Sequence, residues 1–443
     1  MFILGHGTVV TMTEDAMIIR DGGVVVDGEE IIKVGKTNKL KEEYAKADFR
    51  DVSGKLIMPG LINTYMHLYS TFARGMDLKT DNSPKNFTEI LKKLWWRLDA
   101  KLNKDDIYYS ALYAIIDSIK RGTTTIFDHH ASFGFIDGSL DIIAKAVKEA
   151  GIRANLSYEV SDRHGFQKAM AALNENKRFI NSLKGKENNY LGGTIGLHAS
   201  FTLEDKTLEQ AANLADELKV PFHLHTAEGW ADVKNSRQRG YKGVIDRLDR
   251  YNIWRPQTLA IHGVYLSRDE LEKLADKKCY LIHNPQSNMG NAVGVAPVKS
   301  AFDSSLTVGL GTDGYTTDMF TSTKVANLLQ SHKQGDPRAG TNEARKMALV
   351  NNNLIANNFF APDLGQLKQG AAADIIVVDY TPPTPITKDN SFFHLLMGLQ
   401  GSMVDTTIIG GKVLMENREV KCVDYEQICR KSQEQAKDFW RRF

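Results

Sequence analysis

Cysteine is scarce: Cys279, Cys422 and Cys429 are the only three in 443 residues. An odd count without metal-type spacing excludes a disulfide framework and points to a reducing, cytoplasmic setting. Charge excess is missing as well. Lys and Arg number 56 against 54 Asp and Glu, a net charge of +2, so nothing in the balance asks for nucleic acid or a membrane surface. No apolar run approaches the roughly 18 residues of a membrane span, and the first residues lack the basic and apolar regions of a signal peptide. Internal repeats and low-complexity segments are also absent. What remains is ordinary globular composition, 42% apolar and 25% charged. The length suits one large barrel with an accessory domain.

Both ends of the chain are rich in short β-type runs. Val9–Met12, Gly23–Val26 and Ile31–Val34 are broken by Gly and Asp-Gly, and Val26-Asp-Gly-Glu reads as a hairpin with a primed turn. Ala373-Asp-Ile-Ile-Val-Val-Asp379 and Ile408–Met415 are the matching runs at the far end. One small β-sandwich domain is expected from 1–56 plus 364–422, followed by a C-terminal helix over 423–443. Between them, over 57–363, eight strand-like runs alternate with amphipathic helices, the pattern of an α/β (β/α)₈ TIM barrel. Ile90, Leu91, Leu94, Trp95 and Leu98 recur at helical spacing, so Trp95-Trp96 is expected to pack in the core.

The chemistry collects where these strands end, which is where a barrel of this type carries its active site. Five of the 12 histidines close strand runs: His67, His198, His225, His262 and His283. Asp313 follows the eighth run in Gly311-Thr-Asp-Gly. Imidazole and carboxylate together suit Zn²⁺ or Fe²⁺, and an ion so held lowers the pKa of a water to about 7. His67, His225 and Asp313 are the expected ligands of one divalent ion, zinc with iron as the alternative. His262 is placed to move the water's proton, as is Asp313, and Glu228 to protonate a ring nitrogen. His198 is expected to anchor substrate, and Trp230 to stack on a flat ring. No Lys ends the fourth strand run, which argues for one metal rather than two. His223 is expected one layer deeper, on the same face as His225. Only one of the adjacent His129 and His130 can face the site.

Pro59-Gly-Leu-Ile-Asn-Thr-x-x-His67, His225-Thr-Ala-Glu, His283-Asn-Pro-x-Ser-Asn and Gly-Thr-Asp313-Gly, in this order, resemble the amidohydrolase superfamily in its branch acting on aminated heterocycles. Trp95-Trp-Arg-Leu-Asp99 and Phe127-Asp-His-His-Ala-Ser132 are more specifically similar to SsnA-type aminohydrolases. The resemblance implies metal ligands at 65, 67, 225 and 313, with Glu228 and His262 catalytic. It also implies hydrolytic deamination of a purine-, pyrimidine- or triazine-like substrate with release of ammonia. Two rivals stand beside it: a metal-poor binding subunit, and a hydrolase releasing a different leaving group. A homodimer is among the expected assemblies. The departure is Tyr65, where the family pattern has His. A phenol has a pKa near 10 and must lose its proton to ligate strongly. Three outcomes stay open: Tyr65 ligates, the site keeps three ligands and binds weakly, or it is empty, with His129 or His130 as a possible substitute.

Overall fold

The computed structural model describes residues 1–13, 17–78, 83–185 and 189–443. Eight parallel strands run in chain order: Leu61–Met66, Thr123–His130, Arg153–Val160, Ile195–Ala199, Phe222–Thr226, Leu259–His262, Tyr280–His283 and Thr307–Leu310. Residues within them are almost all buried, as expected of strands covered by crossover helices on one side and a filled interior on the other. The first crossover helix is Lys104–Lys120, not the Ile90–Leu98 stripe. It starts at Asn103, whose side chain accepts from the Asp105 and Asp106 amides, while Asp106 returns a bond to the Asn103 amide.

The Ile90–Leu98 stripe is helical but does a different job. Phe87–Asp99 forms a helical segment with a π turn at Leu91–Trp95, inside the loop that follows the first strand. Leu91 and Leu98 are buried and Leu94 and Trp95 pack against the core, while Ile90, Leu94 and Trp95 also line a cavity at the top of the barrel and Trp96 an adjoining chamber. The spacing that reveals an apolar face cannot say whether the face meets a sheet or an opening. The C-terminal helix Tyr425–Arg442 ties to residues on either side of this segment and, through the following Phe443, to Arg97 within it. Trp440 Nε1 donates to the Phe72 carbonyl (2.7 Å), Arg442 pairs with Asp106 (2.8 Å), and the Arg97 guanidinium lies 4.2 Å over the Phe443 ring.

The β-rich ends join in one nine-stranded sheet, in which Phe2–Val10 pairs with three neighbours and Leu56–Pro59 lies against Ile375–Val378. Leu4, Val24, Val26, Ile57, Val377 and Ile408 close a separate core inside it. Gly28, at φ +56°, supplies the positive φ that the primed hairpin turn needs. Gly410-Gly411, both at positive φ, turns Ile409 back onto Lys412. Gly60 links the sheet to the first barrel strand, where a Cβ would meet the Thr124 side chain at 2.2 Å. The two units are also joined by a buried ion pair, Arg153 with Asp374 (3.2 Å), whose carboxylate accepts from the Gly410 amide (2.8 Å) as well. No helix among the described residues is long and apolar enough to cross a membrane.

The barrel closes between its first and eighth strands through few bonds. The Tyr65 carbonyl accepts from the amides of Thr312 (2.9 Å) and Asp313 (3.1 Å), and Asn63 Nδ2 donates to Thr312 Oγ1 (2.7 Å). Asn352, fully buried, bridges the rest. Its Oδ1 accepts from the Leu310 amide (2.8 Å) and Thr64 hydroxyl (3.1 Å), and its Nδ2 donates to the carbonyls of Ile62 (2.8 Å) and Leu310 (2.9 Å). Asn352→Ala strands several of these groups away from water and is expected to cost about 2–4 kcal/mol of stability. Urea denaturation measures it, and an unchanged midpoint would show that the seam closes without Asn352.

Candidate active site

Tyr65 and His67 leave the first strand on the same face, as residues two apart must. The phenol reaches further than an imidazole would. Its oxygen lies 2.7 Å from His67 Nε2 and 2.6 Å from His225 Nε2, so it stands between the two rings expected to share an ion. Each ring is fixed from behind by a backbone carbonyl. His67 Nδ1 lies 2.5 Å from the His129 carbonyl and His225 Nδ1 lies 2.8 Å from the His198 carbonyl. A carbonyl only accepts, so both Nδ1 atoms carry the hydrogen and both Nε2 atoms present bare lone pairs. Two lone pairs converge on a phenol with one proton to give. Burial and the nearby Asp313 and Glu228 carboxylates push the Tyr65 phenol well above its ordinary pKa, while burial lowers those of both histidines. The pocket thus holds more electron pairs than protons to satisfy them. Histidines backed by carbonyls with free nitrogens facing inward are the arrangement that a metal cation fits.

On the far side of this group, Asp313 Oδ1 lies 3.5 Å from His67 Nε2. The carboxylate is held by the Ser287 hydroxyl (2.6 Å) and the Gly314 amide (2.5 Å). His262 Nδ1 donates to Asn288 Oδ1 (2.8 Å), leaving Nε2 bare and without a hydrogen-bond partner. That nitrogen sits 3.6 Å from both Asp313 Oδ2 and Glu228 Oε2. Burial and the negative charge of Asp313 raise the Glu228 carboxyl well above its usual range, which favours its protonated form. Ala227, His262 and Asp313 all adopt positive φ (+47°, +73° and +55°), strain that persists only where surrounding structure enforces it.

His198 hydrogen-bonds through Nδ1 to Thr202 Oγ1 (2.6 Å), and its ring faces His225 and Trp96. His223 lies deeper, edge-on to Tyr65, with Nδ1 3.3 Å from the Ser157 hydroxyl. His283 is fully buried, and neither of its nitrogens has a hydrogen-bond partner among the described residues. Of the adjacent pair on the second strand, His129 turns inward towards His67, His223 and His225. His130 turns away, bonding the Ser132 hydroxyl (2.8 Å) and packing on Tyr158. Trp230 does not line the site. It opens the helix Trp230–Gln238, is half exposed, and packs on Tyr265 and Arg237. The helix turns it outward, and Phe87 from the covering segment lies against Gly229 instead.

A cavity of about 400 Å³ opens beside His67 and Asp313, roofed by Trp95, Leu94 and Ile90 with Tyr315 and Asn291 at its side. A narrower chamber adjoins it, lined by Tyr69, Trp96, Glu159, Arg163, His198 and Glu228. Glu159 and Arg163 were not singled out from the sequence. Glu159 is the penultimate residue of the third barrel strand, where an acidic side chain in a buried run is the one visible signal. Arg163 Nη2 bridges Glu159 (2.8 Å) and Asp99 (2.9 Å), tying the covering segment to the third strand, with its guanidinium 5.1 Å over Trp96.

The comparisons with known proteins agree with this geometry. The model of the amidohydrolase family matches residues 56–414. A 5'-deoxyadenosine deaminase from Methanosarcina acetivorans is 32% identical, with 98% of each chain covered. A 5-methylthioadenosine/S-adenosylhomocysteine deaminase from Pelotomaculum thermopropionicum is 31% identical, again with 98% of each covered. Among solved structures, an adenosine deaminase from Xanthomonas campestris with bound zinc superposes with a TM-score of 0.84 at 23% identity, covering 100% of this chain and 99% of its own. The barrel, its strand-end histidines and aspartate, and this match over most of the sequence lead to one assignment: the chain belongs to the amidohydrolase family.

Proposed function

We propose that this protein is a mononuclear metal-dependent aminohydrolase that replaces the exocyclic amino group of an adenine-type ring with oxygen and releases ammonia. The observation that carries the reading is the trio of Glu228, His262 and Asp313, whose donor atoms lie within 4.8 Å of one another beside the carbonyl-backed His67–His225 pair. The named functions of the full-length relatives, deaminases of adenosine derivatives, support the substrate class. His67, His225 and Asp313 would hold one divalent ion, zinc in this reading with iron as the alternative. When bound, such an ion supplies a Lewis acid that acidifies a water.

The protein's own groups then account for the protons. His262, with Nδ1 fixed on Asn288 and Nε2 bare, takes a proton from the attacking water, and Asp313 orients that water from its second oxygen. Glu228 arrives protonated and gives its proton to a ring nitrogen, which lets the ring carbon accept the water oxygen. The C–N bond breaks, the amine leaves with the proton gathered on His262 or Asp313, and Glu228 recovers its proton from the ring nitrogen or the new hydroxyl. His198 anchors the substrate at the narrow chamber. Tyr69, Trp95 and Trp96 offer flat faces to a planar ring.

Glu228→Gln keeps shape and hydrogen bonding but removes the transferable proton. It is expected to lower kcat for ammonia release from 5'-deoxyadenosine at least about 100-fold while leaving metal content unchanged. Undiminished turnover would rule out Glu228 as the proton carrier. Because Glu228 works in its protonated form, the wild-type rate should fall on the alkaline side as that proton is lost, and an ammonia assay across pH measures the limb. Chelation should abolish activity and Zn²⁺ should restore it. Elemental analysis of fresh protein finding no divalent metal, together with no ammonia from a panel of amino-heterocycles, would sink the reading.

A further inference from the structure

We infer that His129, on the second barrel strand, is a metal ligand of this chain and supplies the nitrogen that Tyr65 does not. The inference deepens the metal-dependent reading above and rests on it. Three imidazoles share one arrangement. His67 and His225 set their Nδ1–H groups on the carbonyls of His129 and His198, and His129 sets Nε2–H on the carbonyl of His223 at 3.1 Å. By the same donor count, Nδ1 of His129 carries a bare lone pair. A donor nitrogen from each of the three lies within 4.8 Å of the other two.

The His129 ring is fully buried, and Nδ1 has no hydrogen-bond partner among the described residues. The Glu159 carboxyl, pushed up to about 8 by burial, lies with Oε2 3.6 Å away, beyond hydrogen-bond distance. An orphaned buried lone pair is costly, a penalty that an ion among the three rings removes. Tyr65 cannot remove it, since the single phenol proton already faces two lone pairs. Nor is His67, His225 and Asp313 one of the close trios that the described residues form. The phenol stands between the Nε2 atoms of His67 and His225, and His129 joins the same two histidines from the neighbouring strand as a ligand beside them and Asp313. His130 cannot substitute, because its ring is directed to Ser132 and Tyr158.

The test compares wild type, His129→Gln and, as a neighbouring control, His130→Gln, each checked for folding by circular dichroism. Zn²⁺ affinity is measured by competition with a chromophoric chelator, and the Co²⁺-loaded forms are compared by visible absorption. His129→Gln should weaken Zn²⁺ binding at least about 10-fold, comparable to or beyond the loss of an outer-sphere partner, and change the Co²⁺ spectrum. His130→Gln should do neither. Zinc K-edge absorption on the unmodified protein gives a check that needs no variant: imidazole scattering should fit three rings rather than two. Wild-type affinity and spectrum in His129→Gln, or a two-ring fit, overturn the assignment while leaving the metal-dependent reading intact. A wild-type chain that binds no divalent ion overturns both.

Discussion

The seam between the first and eighth barrel strands is the constraint on which the site depends. A closed parallel barrel needs its last strand to pair with its first, yet here the two strands share few backbone bonds. The Tyr65 carbonyl takes two amides from the residues that precede and include Asp313, and Asn352 fills the remaining gap with four hydrogen bonds. The same short stretch therefore fixes the phenol of Tyr65, the ring of His67 and the carboxylate of Asp313. A shift at this seam would separate the aspartate from both histidine groups at once.

Electrostatics at the top of the barrel follow from burial. His67, His129, His198, His225 and His262 are all enclosed, and desolvation lowers the pKa of every one. Neutral imidazoles keep lone pairs available, and backbone carbonyls decide which nitrogen presents them. The same burial, with Asp313 beside it, raises the Glu228 carboxyl and so favours its protonated form. One physical cause, burial, thus shifts both the imidazoles and the carboxylic acid towards their neutral forms. Local strain at Ala227, His262 and Asp313 is tolerated because these residues are held by the structure packed around them.

Much of this was legible in the chain. The eight strand-like runs expected over 57–363 appear as the eight parallel barrel strands. Parallel strands buried on both faces give continuous apolar runs that stand out against helical spacing. The β-rich ends announced a shared sheet for the same reason. The Ile90–Leu98 stripe is not the first crossover helix, because periodicity reports an apolar face without naming what it covers; here the face packs on the core and also roofs a cavity. Trp230 misled because nearness in sequence to Glu228 is not nearness in space once a helix begins at that residue. Glu159 and Arg163 were invisible as a pair, since their link to Asp99 crosses some sixty residues of chain.

The sequence by itself determined the barrel, the sheet made from both chain ends, and which strand ends carry histidine or aspartate. These depend on alternation, run length and residue type, which are local properties. Tertiary structure alone decided where the Tyr65 oxygen falls, which of His129 and His130 faces inward, and which ring nitrogen each histidine offers. Those outcomes depend on side-chain reach and on carbonyls contributed by neighbouring strands, and no spacing along one strand contains them.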